Sequence, residues 1–262
     1  MIPHFEKKEQ LFCWLRANKQ FVITAKKAIT KHADPVDYVA KDVEDVTKGS
    51  PEESTEMNAL LVINTTNIVD SHDDLHVPGL WKKSLSERKS LYLLQEHKMQ
   101  FDKIITDKVK AFTRTMTFAE LGQNYPGTTE ALIFQADITK ERNAYMFGQY
   151  LKGYVRNHSV GMQYVKIELA MDSDDRYDQE EKAVWDKYFG MIANVDEVKE
   201  RGYFWAVTEA KLIEGSAVPI GSNWITPTLE INPKSLDIAE LITTPEPTAQ
   251  DIINHIKRIK IN

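Results

Sequence analysis

The chain has 262 residues, 42% hydrophobic and 27% charged, with 33 Lys and Arg against 39 Asp and Glu and a formal net charge of −6. That is the composition of a globular protein long enough to bury a substantial core, in one large domain or two small ones. The acidic balance argues against a protein that wraps nucleic acid. The single cysteine, Cys13, argues against a disulfide framework or a Cys-rich zinc site, and no apolar run is long enough to span a membrane.

The N-terminus, M-I-P-H-F-E-K-K-E-Q-L-F, has charges where a signal peptide would need its apolar run, so a cytosolic protein is expected. Residues 1–33 carry seven Lys and Arg against Glu6 and Glu9, whereas 34–56 carry eight acids against Lys41 and Lys48. The acidic stretch includes K-G-S-P-E-E-S-T and reads as a solvated loop. Residues 20–28 (QFVITAKKA) are β-branched and apolar enough for a strand, as are 57–65, 91–97, 108–118 and 129–138. A short helix fits L-W-K-K-S-L-S-E-R-K-S after Pro78-Gly79. A second fits 140–152, where Ala144, Phe147 and Leu151 share a face and Gly153 suits the closing residue.

The longest strand candidates are 158–170 and 203–213. Between them, the acidic M-D-S-D-D-R-Y-D-Q-E-E at 171–181 reads as an exposed connection. It leads into an amphipathic helix at 178–193 with Trp185, Tyr188, Phe189 and Ile192 on one side. T-T-P-E-P-T-A-Q is a linker, and D-I-I-N-H-I-K-R-I-K-I-N a short amphipathic helix or a frayed tail. Many strands with helices inserted between them predict an α+β fold, a strand-rich curled or closed sheet decorated by helices. The expected organisation is an N-terminal segment 1–17, a β-rich domain 18–232 with a helical insert near 178–201, and a linker and tail over 233–262.

Several positions invite chemistry. In S-H-D-D-L-H, His72, Asp73, Asp74 and His76 could ligate a metal and serve a nuclease. The spacing is not that of a helical zinc site, however, and in a turn ending at Pro-Gly such Asp residues hydrogen-bond nearby backbone N–H groups, so no metal is expected. His97 ends the apolar run L-Y-L-L-Q-E-H, where an imidazole can be held rigidly at a cleft as a general base, or can be a hydrogen-bonded histidine at the core edge. Ser159 opens the strand-like S-V-G-M-Q-Y, with a glycine that lets a substrate chain approach. Glu214, in K-L-I-E-G-S-A-V-P, ends another apolar strand, where a carboxylate needs a partner such as an imidazole N–H. Spacing alone does not bring these three together.

The order of these segments resembles the prohead (capsid maturation) serine proteases of tailed bacteriophages, relatives of the herpesvirus assembly protease. The resemblance rests on D-S-H-D-D-L-H-V-P-G-L-W-K-K-S-L at 70–85, L-Y-L-L-Q-E-H at 91–97, Y-L-K-G-Y-V-R-N-H-S-V-G at 150–161 and L-I-E-G-S-A-V-P at 212–219. It covers about 57–225. Gly215 and Met162 depart from it, standing where the family usually has an apolar strand residue and an aromatic, and the insert at 171–201 is longer than expected.

The resemblance implies a herpesvirus-protease-like fold, a closed or partly open β-barrel surrounded by helices. It implies Ser159 as nucleophile, His97 as general base and Glu214 as the third member, with Glu96, Asp102 and Asp73 as competitors for that last role. Glu96 is disfavoured for that role, and His158 as the base for Ser159, because neighbours on a strand point to opposite faces. The implied activity is that of a serine endopeptidase without cofactor or metal. Its substrates would be scaffold, portal and major capsid proteins, and the protease itself, inside an immature capsid in the host cytoplasm. A homodimer is in keeping with the family, and neither nucleic acid nor membrane is implied as a partner. The segment after Thr243 is a candidate for self-cleavage, for a packaging handle, or for a disordered terminus. The rival reading is a non-enzymatic capsid-assembly or scaffold-like protein that keeps the barrel. An esterase fits less well, because R-N-H-S-V-G lacks the G-x-S-x-G elbow.

Overall fold

The computed structural model describes residue 3 and residues 5–28, 54–87 and 90–234. The acidic stretch up to residue 53, and the expected linker and terminal helix after 234, lie outside the described residues. In chain order the elements are α1 (Lys8–Ala28), β1 (Glu56–Thr65), β2 (Asp74–His76), α2 (Lys82–Glu87), β3 (Leu93–Gln95), β4 (Ile104–Thr106), β5 (Val109–Thr117), β6 (Thr128–Thr139), α3 (Ala144–Leu151), β7 (Asn157–Met171), α4 (Gln179–Tyr188), α5 (Val195–Arg201), β8 (Tyr203–Val218) and β9 (Thr228–Lys234).

These strands make two sheets. One is antiparallel, in the order β5-β6-β1-β9. The other is built on the long β8, which pairs antiparallel with β7 along one edge. Along its other edge β8 pairs parallel with β2 near Ala206 and with β3 near Ser216, and β4 extends β3. The class is therefore mixed α+β, and among the described residues neither sheet closes on itself.

Alternation along the strands explains how the sheets stack. Met57, Ala59, Leu61 and Ile63 of β1, with Leu132, Phe134 and Ala136 of β6, share one core with Val160, Met162 and Tyr164 of β7 and Val207, Ala210 and Leu212 of β8. Gly215 belongs to this contact, since a Cβ there would lie 2.5 Å from the Phe134 ring. A second cluster, with Trp185 and Tyr188 of α4 against Phe204, Ala206 and Ala170, covers the opposite face of β7 and β8. Among the described residues no helix is long and apolar enough to cross a membrane.

Two expectations are corrected. Residues 20–28 are not a strand but the second half of α1. Phe12, Leu15, Val22 and Ile23 recur at helical spacing and meet the core, and that burial outweighs the weak β preference of the V-I-T run. The boundary expected at 17/18 consequently falls inside a helix. The acidic connection at 171–181 is also not wholly solvated. Asp178 and Glu181 are buried, and Arg16 and Lys19 of α1 reach them at 3.0 and 2.5 Å. The basic N-terminal region thus docks on the acidic insert. Three strands have no counterpart among the expected ones, the short β2 and β4 and the edge strand β9, and the helical insert expected near 178–201 holds a separate second helix, α5.

Candidate active site

Of the apolar run at 91–97 only Leu93–Gln95 is strand. The chain then turns. Lys98 N donates to Gln95 O at 3.0 Å, and both central residues, Glu96 (φ 52°) and His97 (φ 58°), are left-handed. Two positive φ values in sequence define a tight primed turn that favours Gly and Asn, so holding Glu and His there costs about 1–3 kcal/mol each. The turn folds His97 back over β8. Its backbone N donates to Ser216 Oγ (3.0 Å), and its Nδ1 lies 2.6 Å from Glu214 Oε1.

A carboxylate only accepts, so Nδ1 carries a proton, and in the neutral tautomer this leaves Nε2 as the nitrogen with the lone pair. The other carboxylate oxygen, Oε2, accepts from Ser216 Oγ at 2.7 Å. Both side chains are enclosed, His97 at 8% exposure and Glu214 at 2%. The low-dielectric surroundings strengthen this charge-assisted hydrogen bond.

Ser159 enters from the far side of β8. In the β7–β8 ladder it stands opposite Ser216, and Gly161 stands opposite Glu214. Directly opposed residues share a face and alternate residues repeat it, so Ser159, Gly161, Glu214 and Ser216 form a rectangle on one face of the sheet. His97 covers the β8 side of that rectangle. The ladder stays in register through these four positions and shifts only after Gly161. Beside Ser159 the Gly221 backbone passes closely, since a Cβ at Gly221 would lie 3.8 Å from Ser159 Cβ and 2.9 Å from His158 O. Ser159 also lines a narrow cleft with Asn64, Asp70, His72, His76, Tyr164 and Asn223.

The other expected residues have different partners. Glu96 pairs with Lys98, Asp102 with Lys103, and Asp73 with Arg201 and Tyr203. His158 is wholly buried, with Nδ1 3.1 Å from Thr226 O and Nε2 3.0 Å from Tyr150 OH. A carbonyl only accepts, so Nδ1 is protonated and Nε2 accepts from the phenol. Burial pushes this imidazole down to about 4, and it is a neutral structural group at ordinary pH.

The S-H-D-D-L-H segment is the Asp-tethered turn that its composition suggests. Asp70 Oδ1 accepts from His72 N (2.9 Å) and Asp74 N (3.0 Å). Burial acts to raise the Asp70 pKa. The hydrogen bond with His72, the neighbouring His76 and His72 charges and the Asp74 N–H outweigh it and hold the carboxyl well below its ordinary range. Asp74 is engaged by Tyr164 OH at 2.7 Å and by Lys26, and His76 Nδ1 by Asn64 Oδ1 at 2.9 Å. Among the described residues no three His, Cys, Asp or Glu side chains converge as a metal site requires.

Sequence reasoning missed two parts of the site. Ser216 was legible in principle, because Glu214 and Ser216 are alternate residues of one strand and must share a face. Gly161 does not leave room for a substrate chain, as its sequence context suggests, because the space of its missing side chain is filled by the Glu214 carboxylate. Comparison with protein-family models, with curated proteins and with solved structures returns no match.

Proposed function

We propose that this chain is a serine endopeptidase with Ser159 as nucleophile, His97 as general base and Glu214 as the carboxylate that orients the imidazole. The observation that carries this reading is the 2.6 Å contact from His97 Nδ1 to Glu214, on the face of the β7–β8 ladder that also bears Ser159. In the reaction, His97 Nε2 takes the Ser159 proton as Oγ attacks the scissile carbonyl. Glu214 stabilises the imidazolium, which then protonates the leaving amine. Water, activated by the same imidazole, hydrolyses the acyl-enzyme. Backbone N–H groups around the oxyanion would each contribute about 3–4 kcal/mol to the transition state.

The substrates in this reading are the extensions of scaffold, portal and major capsid proteins, and the enzyme itself, cleaved within an immature viral capsid in the host cytoplasm. The two open sheets are then a variant of the barrel of the herpesvirus assembly protease. What supports this more specific assignment is the order of the four motifs, with the third and fourth lying side by side on β7 and β8. Confinement raises the local substrate concentration, so modest intrinsic affinity is enough.

The test uses the full chain and a small fluorophosphonate probe. The expected result is one covalent adduct, on Ser159, lost in Ser159→Ala, together with cleavage of the cognate scaffold by the unmodified chain alone. Undiminished cleavage by Ser159→Ala rules out the nucleophile. A chain that neither labels nor cleaves is a capsid-assembly protein without hydrolytic activity.

A further inference from the structure

A cavity of about 190 Å³ opens where β3 and β8 end, lined by chain neighbours of His97 and Ser216 and not by Ser159, His97 or Glu214 themselves. One wall is Ala217 and Val218, which directly follow Ser216 on β8. Another is Glu96, which directly precedes His97, and a third is Val155, just upstream of β7. Tyr145 and Tyr154 stand at its rim, exposed at 64% and 66%. Such large exposed rings beside a concave surface, here Met146, Val155 and Val218 with Gln95 and Gln149, are characteristic of a place where something docks.

The size of the cavity limits its occupant. Small-molecule pockets usually start near 300 Å³. An apolar cavity of about 150 Å³ holds one benzene ring. This one therefore has room for a single side chain of phenyl or isobutyl size. Its charge limits the occupant further. None of the lining residues is basic, and the one carboxylate, Glu96, is paired with Lys98 at 2.5 Å, so the pocket offers no unbalanced charge to a cation or an anion.

We infer that this cavity is the specificity pocket of the site, and that it takes one large uncharged apolar side chain close to the scissile bond of an extended peptide. The inference rests on the endopeptidase reading and adds the substrate class. Burying an aromatic or aliphatic side chain there favours Phe or Leu over Ala by about 10- to 100-fold in kcat/KM.

The experiment uses the full chain in two steps. A small fluorophosphonate, which does not need the pocket, first reports whether Ser159 is reactive. Quenched fluorogenic peptide mixtures, varied at each of four positions on either side of the bond, then report selectivity. The expected result is one position at which Phe, Leu or Met exceeds Ala, Lys and Asp by the stated factor. Val218→Trp, which fills the cavity, brings that ratio close to unity while preferences elsewhere along the peptide persist. Tyr154→Ala, at the exposed rim, lowers the same ratio and serves if the tryptophan variant does not fold. Labelling of Ser159 without any apolar preference, or with a charged residue preferred at the affected position, overturns the inference and leaves the endopeptidase reading standing. Absence of labelling overturns both.

Discussion

A methyl group added at Gly161 would lie 2.0 Å from Glu214 Oε1, 2.7 Å from Cδ and 2.9 Å from Cγ, so no rotation of the carboxylate end alone could relieve the overlap. Gly161→Ala is expected to push Glu214 off His97. Stability falls by about 1–3 kcal/mol, in line with overpacked cores, as read from urea midpoints. On the proposed endopeptidase reading, hydrolysis falls about as far as in Glu214→Gln, some 10²–10⁴-fold, because both variants disturb the same His97–Glu214 pair. A Gly161→Ala variant with undiminished kcat/KM in that assay would show that Glu214 need not sit where it does. Ser216 acts one step further away, donating to Glu214 Oε2 and accepting from His97 N. Ser216→Ala leaves a buried carboxylate oxygen and a backbone N–H each short of a partner. The expected loss is about tenfold in kcat/KM, equivalent to about 1.4 kcal/mol, with Ser216→Thr recovering most of it. Equal losses in both variants would make the role of Ser216 a matter of packing.

Among the elements, α1 tests whether the charge asymmetry of the sequence has a physical use. Burial works against the charge of Lys19, but Glu181 and Glu180 outweigh it and hold its pKa above the ordinary lysine value. Lys19→Met keeps the apolar stem and removes the charge, leaving Glu181 enclosed without this partner. The expected cost is about 1–2 kcal/mol, between that of an exposed and a buried pair. The double variant Lys19→Met/Glu181→Gln should recover more than half, and simple additivity in that cycle would refute the docking argument. The same helix marks how far the sequence could be read. The strands β1, β5, β6, β7 and the first part of β8 were legible because alternating or continuous apolar residues fill each one. The span Gln20–Ala28 was not, because a local β preference hid a helical period that begins upstream at Phe12. The edge strand β9 carries Pro233 and few apolar residues, so its pairing with β1 is set by the neighbouring strand. His97, Ser159 and Glu214 could each be nominated from strand-end positions, but the contact of His97 with Glu214 depends on the parallel β3–β8 register and a left-handed turn, neither of which leaves a periodic signal.

At the scale of the whole molecule, the fully buried His158 and Asp70 each tie stability to acid. His158 has its imidazole pushed down to about 4 by burial, against about 6.5 in an unfolded chain. Between those values the unfolded state binds a proton that the native state refuses, so stability falls as pH falls, by up to about 1.4 kcal/mol per unit. From pH 7 to 4.5 this one group removes about 2–3 kcal/mol, a large part of the 5–15 kcal/mol typical of a domain. Asp70 acts in a lower window. Its carboxyl is held below the ordinary range, so its contribution is complete above about pH 4 and is lost as the pH falls further. Urea midpoints measured at pH 7, 5.5 and 4.5 should therefore decline steeply in the wild type and more gently in His158→Gln, which cannot titrate. The glutamine variant starts lower at pH 7, having lost the paired imidazole between Tyr150 and Thr226, so the test is the slope and not the absolute midpoint. Parallel slopes in the two proteins would mean that the His158 environment admits a proton without unfolding, and the tight packing assigned to the Tyr150–His158–Thr226 contact would then be wrong.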